Sequence, residues 1–215
     1  MAESQALKGM PKEEKLEFIL GVAADCFEEV GYNKITLDSI AERAGLSKGT
    51  LTYYFGNKEG LIAGLIRRHV RRLIGHLKSD ISNVKGPEEK LRAGIESLWN
   101  AFFYDQDRLK AYCDLSAQAF FNSNLKSEIV LAECEVRNLF AEMLDDPDRE
   151  DGAPGKGTAQ FNAALILGAV EGLVRQVALD SEGFDEEQIK AGSQEAFRMF
   201  CDVFECRSTP RVDPQ

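Results

Sequence analysis

From about residue 12 to about residue 204 the apolar residues of this 215-residue chain return every three or four positions, and no stretch alternates apolar with polar at the spacing of a strand. A chain with that period can bury one stripe of a helix but not one face of a sheet. The expected fold is therefore all-α, with about nine helices. The punctuation agrees. Helix 1 is expected from Lys12 to Val30, with Leu16, Ile19, Leu20, Ala23, Phe27 and Val30 turned inward, and Gly31 suits the left-handed residue that ends a helix. Thr36 caps the short run LDSIAERA, which Gly45 closes, and Ser47 caps KGTLTYYF, with Leu51 and Phe55 inward. Asn57 then caps a long helix, KEGLIAGLIRRHVRRLIGHLKSDI, whose outer face carries most of a local basic surplus.

The remaining helices are bounded by equally plain signals. Gly86-Pro87 opens one through Tyr104, because proline is tolerated in a first helical turn. Further helices are expected from Asp107 or Arg108 to about Asn122, from Asn124 or Leu125 to about Asp145, from Thr158 to Ser181 and from Asp185 to Phe204. DDPDREDGAPGKG at 145–157 reads as an acidic surface loop and RSTPRVDPQ as a tail.

Charge singles out one segment. The chain carries a net charge of −10, yet residues 33–78 hold 9 basic and 3 acidic groups, between flanks of 3 and 7 and of 14 and 26. A net +6 island in an acidic chain is either a run of solvated side chains or an electrostatic footprint for a polyanion. The two short helices lie inside it. Joined by AGLS, they have the length and turn of a helix-turn-helix. Backbone N–H groups at their starts, with Lys48 and Lys58 nearby, suit phosphate oxygens, and Gly49 has no side chain to hold the second helix off the base pairs. Thr50 and Thr52 offer a hydroxyl and a methyl to base edges, and Tyr53 a hydroxyl at the groove rim.

The run from Phe27 to Gly31, Ile35-Thr36, IAERAGLSKGTLTYYF and Asn57-Lys58-Glu59 resembles the DNA-binding domain of the tetracycline-repressor (TetR) family over roughly residues 12–65. The resemblance implies an N-terminal helix-turn-helix domain, residues 1–57, followed by a larger helical domain, residues 58–215, that dimerises and holds an effector. It implies that Lys48, Gly49, Thr50 and Thr52 face base pairs and that Thr36, Tyr53, Tyr54 and Lys58 meet phosphates. Three positions depart from the family pattern: Thr52 where an aromatic is frequent, Tyr54 where histidine is frequent, and Asp38 where a basic residue is common. Asp38 would either repel phosphate or accept from a cytosine amino group. Tyr54 has the alternative of packing beside Phe55.

In the second domain the resemblance places Trp99, Phe103, Tyr112 and Phe120 on helices around an effector cavity, although each taken singly reads as core, and Glu96 and Asp114 are acidic neighbours. Ala164, Gly168 and Gly172, at spacings of four, make a small-residue strip for close helix approach. In this family the last two helices form a dimer interface; close packing within one subunit is the other reading.

Other chemistries find little support. GAPGKGT at 152–158 lacks the Ser or Thr of a phosphate loop, since Gly157 follows Lys156. His69 and His76 share a helix face without a Glu-x-x-His partner, so no metal and no cofactor is expected. No Gly-x-Ser-x-Gly is present and nothing pairs a nucleophile with a base, so no enzyme activity is expected. Cys26, Cys113, Cys134, Cys201 and Cys206 have no metal-like spacing and read as free thiols; a redox sensor built on Cys113 and Cys134 is the less common fate of such residues. The longest apolar stretch, AALILGAV at 163–170, is far short of a membrane span and the N-terminus lacks an apolar signal region, so the expected location is the cytoplasm. The reading that results is a homodimeric, cytoplasmic DNA-binding regulator, a repressor released from a palindromic operator by a small molecule. The alternative is a helical carrier or enzyme that has lost DNA binding.

Overall fold

The computed structural model describes residue 7 and residues 9–103, 106–144, 156–180 and 182–203, and among these every regular element is a helix. In chain order they are α1 (Lys12–Lys34), α2 (Leu37–Ala44), α3 (Lys48–Phe55), α4 (Lys58–Ser82), α5 (Pro87–Phe103), α6 (Gln106–Ala119), α7 (Ser123–Leu144), α8 (Lys156–Leu179) and α9 (Glu186–Val203). The all-α expectation and the helix order hold. Ends differ by a few residues: α6 stops at Ala119, before the exposed Phe120 and Phe121, and α8 begins at Lys156. Most of the acidic loop, the tail and Cys206 lie outside the described residues.

The chain divides into two compact units, Met1–Arg72 with Gln106–Ala132, and Leu73–Asp105 with Glu133–Gln215. The first is built on α1, α2, α3, the start of α4, α6 and the start of α7. Its sealed side chains include Ile19, Ala23 and Phe27 of α1, Ile40 and Ala44 of α2, Leu51 of α3, and Leu61 and Ile62 of α4. α1 packs on α2 and α6, and α2 on α3. Leu16 and Leu20 are half-buried, and Val30, expected inside, is exposed. The backbone turns at Gly31 (φ 72°, ψ 176°). Ile35, beyond that turn, is the fully buried residue, so the bend carries the apolar stripe past Val30. Asp114 of α6 fixes the bend by accepting from the Tyr32 N–H at 2.6 Å.

The second unit packs α5 against α9 and α8. Leu91, Ile95 and Leu98 of α5, Phe140 of α7, and Ile166, Val170 and Val174 of α8 are buried. Trp99 packs against α9. A Cβ added at Gly192 would stand 2.4 Å from the Trp99 ring, so the indole fits because residue 192 has no side chain. Its Nε1 donates to the Ile189 carbonyl at 2.8 Å, and its ring stacks on Phe103 at 4.4 Å.

Candidate nucleic-acid interface

Two short helices are stable here because both ends of the first and the start of the second are capped. Thr36 Oγ1 accepts from the Ser39 N–H at 3.1 Å, and Ser39 Oγ accepts in return from the Thr36 N–H at 3.2 Å. This reciprocal box satisfies donors that a helix start leaves orphaned. At the other end Gly45 takes φ 66°, a left-handed conformation that costs an L-residue with a Cβ about 1 kcal/mol, and its N–H reaches the Ala41 and Glu42 carbonyls. Leu46 N–H closes the turn on Ala41 O at 2.8 Å. Two residues on, Ser47 Oγ accepts from the Thr50 N–H at 3.1 Å and starts α3.

That geometry decides which side chains of α3 point outward. Leu51 is sealed against the first unit's core, which leaves Lys48, Gly49, Thr52 and Tyr53 exposed, Tyr53 by 78%. Thr50 is half-buried, with Oγ1 2.9 Å from Ser47 Oγ. Tyr54 is half-buried too. Its ring is edge-on to Tyr53 at 5.1 Å and tilted to Phe55 at 6.4 Å. Thr36 is exposed at the start of α2. Lys58, half-buried, donates from Nζ to the Tyr32 carbonyl and sits 4.3 Å from the centroid of the Tyr32 ring.

The basic surplus is less free than the sequence suggests. Arg68 and Arg72 of α4 both bind Glu17 of α1, at 2.7 and 2.8 Å, and Arg67 binds Glu128 of α7. Arg43 of α2 binds Glu29 at 2.6 Å. Burial pushes the Glu17 carboxyl up, but the hydrogen bonds and charges of Arg68 and then Arg72 outweigh it and hold the group below its ordinary value. Glu29 is likewise lowered, chiefly by its hydrogen bond from Arg43. The cation at the start of α3 is also paired, since Lys48 Nζ lies 2.7 Å from Asp38 Oδ2. Three contacts of this unit escaped the sequence: Asp38 with Lys48, Ser39 in the capping box, and Asp114 on Tyr32. Asp38 and Lys48 are ten residues apart across a turn, and Asp114 is 82 residues from Tyr32, so no local periodicity signals either.

The expected effector residues fall in both units. Trp99 and Phe103 are buried in the second. Tyr112, half-buried, and Phe120, exposed by 84%, belong to the first, where Ser116 Oγ is enclosed with no hydrogen-bond partner among the described residues. On α8, Ala164 and Gly172 are half-buried and Gly168 is exposed, and a Cβ at either glycine would meet nothing within 4 Å. Among the described residues nothing covers the two glycines of the small-residue strip. Cys26 and Cys201 are buried and Cys113 and Cys134 half-buried, and none of the four forms a disulfide. Among the described residues no three His, Cys, Asp or Glu side chains gather as a metal site would require.

A doubly capped helix, a left-handed glycine turn and a second short helix presenting Lys48, Gly49, Thr52 and Tyr53 define a DNA-binding helix-turn-helix protein. The family model for bacterial regulatory proteins, tetR family, matches residues 19–65. The chain is 27% identical over 164 residues to the HTH-type transcriptional regulator BetI of Yersinia pestis, covering 74% of this chain and 79% of that one. It is 29% identical over 96 residues to the HTH-type transcriptional activator FasR of Mycolicibacterium smegmatis; that match spans 45% of this chain and only 44% of that protein's length. The fold is also similar to that of the transcriptional regulator FadR from Bacillus subtilis in complex with stearoyl-CoA, with a TM-score of 0.72 at 20% identity over 86% of this chain and 96% of that one. Residues 19–65 thus carry the DNA-binding domain of the tetR family of bacterial regulatory proteins.

Proposed function

We propose that this protein is a homodimeric, ligand-responsive transcriptional regulator, a repressor that leaves a palindromic operator when a small molecule binds. It acts in the cytoplasm and catalyses no reaction. One observation carries the reading: α2 and α3 are capped independently of the rest of the chain and leave Lys48, Gly49, Thr52 and Tyr53 facing solvent on the helix that would enter the major groove. Residues 1–57 would read DNA, with Thr36, Thr50, Tyr54 and Lys58 completing the contact surface. Residues 58–215 would bind effector and dimerise through Ala164, Gly168 and Gly172. Trp99, Phe103, Tyr112 and Phe120 are the proposed effector residues. The indole N–H of Trp99 is already occupied by Ile189, so Trp99 would offer a ligand its ring and not a hydrogen bond. The stearoyl-CoA complex of FadR makes a long-chain acyl-CoA the first effector to try.

The mechanism proposed for release rests on α4, a single 25-residue helix that starts at Lys58 and contributes residues to both compact units. An effector that favours one position of α4 would change the spacing of the two recognition helices. Half-sites one DNA turn apart tolerate little misfit. The test is operator binding by fluorescence anisotropy across a salt series, with and without stearoyl-CoA. Affinity for a selected palindrome should fall steeply with salt, and the ligand should weaken it at fixed salt. Salt-independent, sequence-blind retention would sink the DNA-binding reading, and an unchanged affinity would remove stearoyl-CoA as effector.

A further inference from the structure

The pair formed by Asp38 and Lys48 lies on the surface that would meet DNA, and both partners are open to solvent, by 66% and 59%. An exposed ion pair of this kind contributes little to folding. Its electrostatics matter more once a duplex approaches. A carboxylate beside the phosphate backbone meets only like charge, and along a groove the partners open to it are the amino groups of cytosine and adenine. Lys48 is the first residue of α3, where a recognition helix places its base contacts. Its ammonium keeps two N–H donors after giving one to Asp38 Oδ2, and the guanine edge supplies O6 and N7 as acceptors.

The spacing of the two groups sets which base pair they fit. In the major groove a C·G pair presents the cytosine N4 donor beside the guanine O6 acceptor, joined by an N–H···O bond of about 2.9 Å. The protein presents an acceptor, Asp38 Oδ2, and a donor, Lys48 Nζ, 2.7 Å apart. Set edge to edge, the two pairs are complementary: carboxylate on N4, ammonium on O6. A T·A or A·T pair offers donor and acceptor too, but thymine O4 is flanked by the methyl and adenine N7 lies on the opposite side of N6, so the ammonium meets no two adjacent acceptors such as guanine O6 and N7. Nor does Asp38 have to leave Lys48 for this to happen, since each group retains free valences.

We infer that Asp38 and Lys48 act as one reading unit, selecting a C·G base pair at one position of each operator half-site. This deepens the DNA-binding reading of the same surface and rests on it. Asp38 is then a specificity residue, and its negative charge lowers overall affinity while raising discrimination.

The test is selection of random duplexes by full-length wild-type protein, Asp38→Ala, Asp38→Asn and Lys48→Ala, each first shown by circular dichroism to keep its helix content. The wild type should enrich a palindrome with one C·G position per half-site. Asp38→Ala should keep the palindrome and lose that one preference by about tenfold or more, the scale of one lost base-edge contact. Lys48→Ala should lose preference at the same position, and Asp38→Asn should shift it toward adenine, the base an amide reads best. If Asp38→Ala binds the wild-type consensus more tightly with every base preference unchanged, Asp38 only repels phosphate and the inference is overturned while DNA binding stands. If the wild-type protein enriches nothing, the DNA-binding reading fails and takes this inference with it.

Discussion

Lys48 and Lys58 stand ten residues apart in the same basic island, and the sequence assigns both to DNA, yet their surroundings differ. Lys48 ends in solvent beside a carboxylate. Lys58 is half-buried, donates to the Tyr32 carbonyl and lies over the Tyr32 ring, while Asp114 holds the N–H of the same residue. Lys58 therefore bridges the bend at Gly31 to the start of α4. Replacing it by methionine keeps the apolar stem and removes the donor and charge, so Lys58→Met should lower stability by about 1 kcal/mol in urea denaturation. Lys48→Met should leave stability within about 0.5 kcal/mol and instead weaken operator binding by about 1–3 kcal/mol with relaxed base preference at one position. Equal stability of the two variants would show that the Tyr32 contact holds nothing together.

Between elements, the clasp of α1 on α4 turns on Glu17, which takes both Arg68 and Arg72. Because those cations hold the folded Glu17 carboxyl below its unfolded value, its contribution is fully present above the ordinary carboxylate range and is lost as pH falls through the folded value. With Glu17 half exposed to screening solvent, Glu17→Gln should cost roughly 0.5 kcal/mol at pH 7, and the two stability curves should converge as pH falls below the ordinary carboxylate range. Parallel curves over that range would mean that Glu17 acts by packing alone. The clasp also shows why some elements were legible in sequence and some contacts were not. Helix starts at Thr36 and Ser47 and the turn at Gly45 follow from residues within four positions of one another, and each was found where the caps put it. The burial of Ile35 in place of Val30, the pairing of α4 arginines with α1 and α7, and the bond from Tyr32 to Asp114 depend on how helices meet. The 3.6-residue period says which face turns inward and nothing about which neighbour it finds. Candidate recognition residues could be placed on α3 by spacing, but their partners came from across the turn.

For the whole molecule the deciding element is α8. From Thr158 to Leu179 it has a mean hydropathy of 1.3, enough by length and composition for a membrane-spanning helix, yet only 33% of that window is buried within the subunit. Its inner face, Ala163, Ile166, Val170, Val174 and Val177, is sealed. The outer face keeps Phe161 and Leu165 exposed by 64% and 46%, followed by Gly168 and Gly172, with open space above both glycines. Spacings of four, three and four put these residues on one stripe, where large side chains at one end and none in the middle allow a second helix to come close. A second copy of the same stripe, related by a twofold axis, satisfies that shape and supplies the symmetry that two half-sites require. Leu165→Glu places a charge in the proposed seam without disturbing the buried face, so helix content should persist. Sedimentation should then show a dimer for the wild type and a monomer for the variant. Each monomer still carries an intact α3, so it should still touch DNA, but a monomer engages one half-site and forgoes the second, intramolecular contact. Affinity for the palindrome should fall by about 100-fold or more, toward that for a single half-site. A Leu165→Glu protein that remains dimeric and binds as before would move the interface off α8, whereas a monomer that binds the palindrome undiminished would mean that the two half-sites are read independently.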